Sequence, residues 1–460
     1  MHQRLAHDLD DLPALLQATR DYATRVLAGL AERPVAPTPA AVEPAPLPVG
    51  GAGTAGALAE FERRWAPGLS GSAGPRYLGF VTGGATPAAL AGDWLTAAFD
   101  QNVSNRAGST AAALEDETVS WLRDMFGLGP DHAGAFVSGA TMSNLTGLAI
   151  GREWSGERLG VSVARQGLAA LGEIPVLSGA AHSSVHKALS VLGMGRASLR
   201  PVRTLPGREA VDVAALADAL AALDGRPAIV VANAGTVNTV DFDDLRAILA
   251  LRERYPFWLH VDAAFGGFAA LTPEHAHLVD GLGGADSVCV DLHKWLNVPY
   301  DSAVQFTRRR DLQVAVFQNT AAYLPAITGD PDHCHLTPEN SRRLRALAAW
   351  FTLAAYGVDG HAEIVTRTVA AAHRLGERLS TLPGVELLSP VRLNVVCFAV
   401  PGDVATVLRA VADSGEAFLT PTVLHGRPAL RAAFSNWRTA GADADRVVEA
   451  VRKALSTTCP

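Results

Sequence analysis

A chain of 460 residues, 48% hydrophobic and 18% charged, is long enough for more than one lobe and too apolar to be a disordered or fibrous protein. Its net charge of -7 is dispersed, which excludes the basic footprint of a nucleic-acid partner and leaves the RRR run at 308–310 as a solvated helix start. No stretch of about 18 apolar residues occurs to cross a membrane, and the N-terminus MHQRLAHDLDD has acids where a secretory signal has cations, so the expectation is a cytoplasmic protein with no membrane or nucleic-acid partner.

The first 30 residues carry leucine and alanine at helical spacing, and RPVAPTPAAVEPAPLPVGGAGTAGA after them is too broken by Pro and Gly for a regular element. From about residue 85, helical segments such as PAALAGDWLTAAF and TAAALEDETVSWLRDMF alternate with the short apolar runs GAFVSG, IPVLSG, PAIVVANAG, FWLHVDAAFGG and DSVCVDLHK. Runs of that length, rich in Val, Ile and Ala and spaced by room for a crossover helix, predict a mostly parallel α/β sheet buried on both faces. The four cysteines, Cys289, Cys334, Cys397 and Cys459, form no CxxC pair, so neither a disulfide framework nor a zinc site is expected. After about residue 345 the pattern changes to a long helix, RRLRALAAWFTLAAYG, the strand-like runs GVELLS, NVVCFAV and RAAFS, and a last helix, DADRVVEAVRKAL. The expected division is an N-terminal helix and arm over 1–84, a large domain over 85–345 and a smaller α+β domain over 346–460.

Function in a parallel sheet collects at the carboxyl ends of its strands. There stand SGATMSN at 138–144, whose hydroxyls and helix-start N–H groups suit a phosphate; His182 in AHSS; Asp262 at the end of FWLHVD; and Lys294 at the end of DSVCVDLHK. Singly each has an ordinary structural reading, as an N-cap, a structural histidine or a buried ion pair. Together they are what pyridoxal phosphate demands: an anion cradle, a neighbour for an aromatic ring, a carboxylate for the pyridine nitrogen and an amine for the aldehyde. Burial is expected to lower the Lys294 pKa and make it nucleophilic near neutral pH.

The strings HVDAA and DLHKWLNVPYDS resemble the group II, fold-type-I pyridoxal-phosphate amino acid decarboxylases, the family of aromatic-amino-acid, glutamate and cysteine-sulfinate decarboxylases, from about residue 75 to the C-terminus. The resemblance implies an aspartate-aminotransferase-like α/β fold with a mostly parallel seven-stranded sheet, and a homodimer whose active sites are shared between subunits. It also implies a carboxy-lyase with pyridoxal 5'-phosphate as cofactor and a small amino acid as substrate. It places the imine-forming lysine at Lys294, the ring-nitrogen carboxylate at Asp262, the stacking histidine at His182 and the residue beneath the ring at Ala264. It assigns the phosphate turn to Ala140 and Thr141, a phosphate-side histidine to His293, a threonine near cofactor and substrate to Thr236, and a small-domain arginine facing the substrate to Arg431. Asp291 stands where relatives often carry an asparagine that contacts the phosphate.

In the resembling decarboxylases a loop tyrosine from the neighbouring subunit returns the proton that replaces carbon dioxide. Here Tyr323 precedes the loop, and the segment from Ile327 to Asn340 contains no tyrosine, so His333 and His335, with Cys334 between them, are the candidate donors. The expected reaction is decarboxylation of an L-amino acid to its amine; the alternative is an oxygen-consuming conversion to an aldehyde, which in this family accompanies loss of the loop tyrosine. A transaminase or carbon-carbon lyase ranks below both, and a non-catalytic protein below those, because Lys294, Asp262 and His182 are all present. Phe80 and Thr82 in RYLGFVTGGATP, and Gln101 and Asn105 in DQNVSNRAG, are expected at the substrate. The amides argue for a polar substrate side chain, while Gly79, Gly83 and Gly84 argue for a widened pocket.

Overall fold

The computed structural model describes residues 1–37, 41–319, 327 and 329–458. Strands β1 (Ala133–Val137), β2 (Val176–Ser178), β3 (Leu199–Pro201), β4 (Ala228–Asn233), β5 (Phe257–Asp262), β6 (Ser287–Asp291) and β7 (Ala303–Thr307) form one seven-stranded sheet in the order β1-β7-β6-β5-β4-β2-β3. Pairing is parallel from β3 through β6, while β7 runs antiparallel to both β1 and β6. Every residue of β4, β5, β6 and β7 is buried, the reason these runs are apolar throughout instead of alternating. The register pairs Asn233 with Asp262 and Asp262 with Cys289, so the parallel strands deliver their chemistry to one edge.

Helix Ala140–Arg158 starts two residues after β1 and lies against the middle of the sheet. It lies close because glycines face the sheet: a Cβ at Gly147 would sit 2.6 Å from the His260 ring, and one at Gly151 would sit 2.7 Å from Trp258. That approach brings Asn144, near the start of the helix, beside the end of β5.

A second, antiparallel sheet has strands β8 (Glu386–Leu387), β9 (Val395–Ala399), β10 (Thr420–Leu424) and β11 (Arg427–Ala433), in the order β10-β11-β9-β8. Helix Ala346–Leu379 joins the two cores and breaks at Gly357, whose φ of 60° favours glycine. Its early residues Ala346, Leu347 and Leu353 pack with the large sheet, and Ala371, Leu375 and Leu379 pack with the small one.

The segment 77–86 is a strap between the sheets. Leu78 N–H donates to Phe418 O at 2.9 Å, Phe80 N–H to Thr420 Oγ1 at 2.7 Å, and Gly83 N–H to His293 O at 3.3 Å. The expectation that its glycines widen a pocket is corrected here. A Cβ at Gly79 would meet the Phe418 ring at 2.3 Å, and one at Gly83 would lie 1.6 Å from the Lys294 carbonyl oxygen, so glycine lets the strap touch what it crosses. Among the described residues no helix is long and apolar enough to cross a membrane.

Candidate active site

A cavity of about 250 Å³ opens at the carboxyl edge of the large sheet, and Lys294, Asp262, His182, Ala264, Arg431 and Tyr300 are among the residues that line it. Lys294 sits in the tight connection between β6 and β7, in the one-turn helix Leu292–Trp295. Its Nζ lies 2.8 Å from Asp291 Oδ2. Burial disfavours the ammonium, but the Asp291 charge and hydrogen bond outweigh it, so the amine is held above the ordinary lysine value. This overturns the expected lowering: a carboxylate three residues earlier compensates the desolvation.

Asp262 ends β5 with both oxygens occupied. Asn144 Nδ2–H donates to Oδ2 at 2.9 Å and the Ala264 N–H to Oδ1 at 3.2 Å. His182 is the N-cap of helix Ser183–Val191, and its Nδ1 accepts from the Ser184 hydroxyl at 2.8 Å and the Ser184 N–H at 3.3 Å. The cap leaves the rest of the ring facing the cavity, and burial lowers its pKa. The structural and functional readings of this histidine therefore coexist.

Helix Ala140–Arg158 begins without a side-chain cap. Asp291 Oδ1 takes the Ala140 N–H at 2.6 Å, so an anion here would use the next N–H groups of the first turn, which have no acceptor within the helix. His293 donates from Nδ1 to Ser302 O at 2.9 Å, and its Nε2 lies 3.6 Å from Asp291 Oδ2. Its ring lies 4.3 Å from that of Tyr300, and burial keeps it toward the neutral form.

Phe80 lines the cavity; Thr82 is buried and lines a neighbouring cavity that shares Tyr300, with Oγ1 3.4 Å from Tyr300 Oη. Arg431 reaches the wall, but its guanidinium donates to Val237 O and Phe80 O. Other expected residues are not brought to this wall. Thr141 is exposed at the helix start. Thr236 turns away: its hydroxyl donates to Glu209 Oε2 at 2.6 Å, and Gly235 and Val237 form the wall instead. Gln101 bonds to Phe99 O and Ser109 Oγ, and Asn105 to Ser104 Oγ and the Ala107 N–H, so these amides are satisfied within their own loop and carry no argument for a polar substrate. His333 and His335 are 1% and 2% exposed, packed beside Asp116 and the Asn319 N–H respectively, away from the cavity of their own chain. Tyr323 lies outside the described residues.

Two residues the sequence reading passed over are central. Tyr300 puts a phenol in the cavity from within the VPYD turn already quoted for its lysine, and Asn144 ties two site groups together from the SGATMSN turn.

The donor set fits pyridoxal phosphate: a buried amine, a carboxylate with each oxygen already receiving an N–H, the small side chain of Ala264, and the first turn of a helix at the other end of one cavity. The fold and site define a fold-type-I pyridoxal-phosphate enzyme. Residues 54–401 match the model of the pyridoxal-dependent decarboxylase conserved domain, and the chain belongs to this family: it is a pyridoxal-phosphate-dependent carboxy-lyase acting on an amino acid. The aromatic-L-amino-acid decarboxylase of Cavia porcellus is 30% identical over 81% of this chain and 82% of its own length. The L-2,4-diaminobutyrate decarboxylase of Rhizobium meliloti (strain 1021) is 29% identical over 88% and 83%, and a phenylacetaldehyde synthase of a Rosa hybrid cultivar is 26% identical over 82% and 79%. In fold, the crystal structure of Oryza sativa TDC with PLP and tryptamine superposes with a TM-score of 0.89 at 24% identity, covering 98% of this chain and 99% of that one. Mouse CSAD superposes with a TM-score of 0.88 at 23% identity over 97% and 99%.

Proposed function

We propose that the chain removes carbon dioxide from an L-amino acid and releases the amine. The observation that carries this reading is the convergence of Lys294, Asp262 and His182 on one cavity with the first turn of helix Ala140–Arg158. When bound, pyridoxal phosphate supplies an aldehyde for an amine and a cationic ring that draws electrons from the bond being broken. Lys294 would supply the amine that holds the aldehyde, and Asp262 would hold the proton on the ring nitrogen. With the cofactor bound, His182 and Ala264 would lie against its ring, and the helix start at Ala140 would hold the phosphate through the next free N–H groups, from Thr141 on, together with His293. Phe80 and Thr82 shape the substrate side, and Arg431 orders that wall through the two carbonyls it binds.

Replacing a carboxylate by hydrogen consumes one proton per turnover, and that proton needs a donor at the reacting carbon. Within one chain the cavity offers Tyr300 Oη, beside the His293 ring and Thr82. We assign the donation to Tyr300, with the phenolate refilled from solvent. The second reading, an aldehyde product, is favoured by the absence of tyrosine from 327–340 and is the named activity of the rose relative.

A screen of amino acids with mass-spectrometric detection, carbon dioxide and hydrogen peroxide assays decides between them. Amine equal to carbon dioxide supports the first; peroxide and ammonia equal to carbon dioxide establish the second; no carbon dioxide from any amino acid overturns both. Tyr300→Phe is expected to slow amine formation about 10²-fold and to lower the ratio of amine to carbon dioxide. His333→Phe and His335→Phe are expected to leave that ratio unchanged; a drop in either moves the donor to a histidine reaching in from another subunit.

We also propose that the working unit is a homodimer. Leu5, Leu9, Leu12 and Leu16 of the N-terminal helices are exposed, as are Trp94, Leu95 and Phe99 near the end of helix Pro87–Phe99, a concentration of apolar surface suited to a second copy. Light scattering should give twice the 48.1 kDa chain mass; a fully active monomer would contradict it.

A further inference from the structure

We infer that Asn144 is a positioning residue whose side-chain amide orients Asp262 directly and His182 through Ser184, at the end of a hydrogen-bond chain that reaches back to Trp258. The inference rests on the cofactor roles proposed for those two groups. An indole N–H only donates, and Trp258 Nε1–H donates to Ser287 Oγ at 3.0 Å. His260 Nε2 faces Asn144 Oδ1, which can only accept, so the neutral ring's one proton is on Nε2 and the Ser287 hydroxyl, 2.7 Å from Nδ1, donates to it. The Nε2–H donates to Asn144 Oδ1 at 2.9 Å.

That contact orients the amide. Its two N–H groups go to Asp262 Oδ2 and to Ser184 Oγ, each at 2.9 Å, and the Ser184 hydroxyl points its proton at His182 Nδ1. Direction is fixed at the Asp262 end, where the carboxylate accepts and the amide must present its N–H. A reversed amide would place Oδ1 against the Asp262 carboxylate.

Trp258, Ser287, His260 and Asn144 are each 0% exposed, so water is not at hand to replace a missing link. Burial also pushes His260 down to about 4, which keeps it neutral and leaves it one proton to give. At the site, Asp262 Oδ2 receives the amide N–H, and His182 is held neutral with its proton on Nε2, because Nδ1 already receives two donors. One amide thus sets both groups.

Equilibrium binding of pyridoxal phosphate to the apo protein, compared with its 1-deaza analogue, in which C–H replaces the ring nitrogen, isolates this role. Wild type is expected to prefer pyridoxal phosphate. Asn144→Leu is expected to weaken pyridoxal phosphate about 10- to 100-fold, the worth of a hydrogen bond to a charged group, and the analogue less than about 3-fold. Ser287→Ala touches neither Asp262 nor His182; it should show the same pattern with a smaller loss, and it carries the test if Asn144→Leu does not fold. Equal losses for both ligands overturn the inference, while a wild type that does not distinguish the ligands overturns the role proposed for Asp262 instead.

Discussion

Lys294 and Asp291 each supply the other's counter-charge, and Asp291 also occupies the first N–H of the helix that suits a phosphate. Two anions at one helix start repel. Asp291→Asn removes that repulsion and the interaction that holds the Lys294 amine up, so pyridoxal phosphate should bind about tenfold tighter and pyridoxal, lacking the phosphate, should gain less; equal gains would place the effect on the lysine alone. Gly83→Ala is expected to abolish cofactor binding, read as loss of the bound-cofactor absorbance, because its Cβ would displace the Lys294 carbonyl. At this scale Lys294, Asp262 and His182 were legible because strand ends announce themselves by an apolar run that stops. Asn144 and Tyr300 were not, since what an amide or a phenol faces depends on chain far away in sequence. Thr236 misled for the same reason, its hydroxyl being claimed by Glu209.

Among elements, the 329–345 segment is anchored in the core by a fully buried ion pair. The side chains of Arg342 and Glu115 are both 0% exposed, joined by two hydrogen bonds of 2.7 and 3.2 Å, and Arg342 also donates to Val103 O and Phe136 O. Arg342→Met should destabilise the fold by about 3–5 kcal/mol because it strands a buried carboxylate, and pairing it with Glu115→Leu should recover part of that in denaturant melts. Neither the pair nor strands β3, β7 and β10 stood out in the sequence. Strand β7 contains Gln305 and Thr307, polar yet fully buried, because the Gln305 amide bonds to Phe306 O and Gln313, so its pattern does not read as core. The central parallel strands were legible because both their faces are covered.

For the molecule as a whole, acid stability follows from buried histidines. Burial holds His260 and His361 down to about 4 from 6.5, so the unfolded chain binds their protons first. Their contribution is complete above 6.5 and is lost as pH falls toward 4. Asp243, pushed by burial up to about 6, has the opposite sign: it is protonated in the fold and favours the folded state increasingly below 6. Two against one, Tm should drop between pH 6.5 and 4.5, and His361→Leu should flatten the slope.

Arg431 gathers residues from three distant parts of the chain, donating to the carbonyls of Phe80 and Val237 from strand β11. On a ribosome, Lys294, Asp262 and His182 emerge well before that third contributor, so the chemistry is translated before the wall that encloses it. Cofactor capture is thereby deferred until strand β11 has been made, and a polypeptide stalled before residue 431 carries a reactive amine with no closed cavity around it.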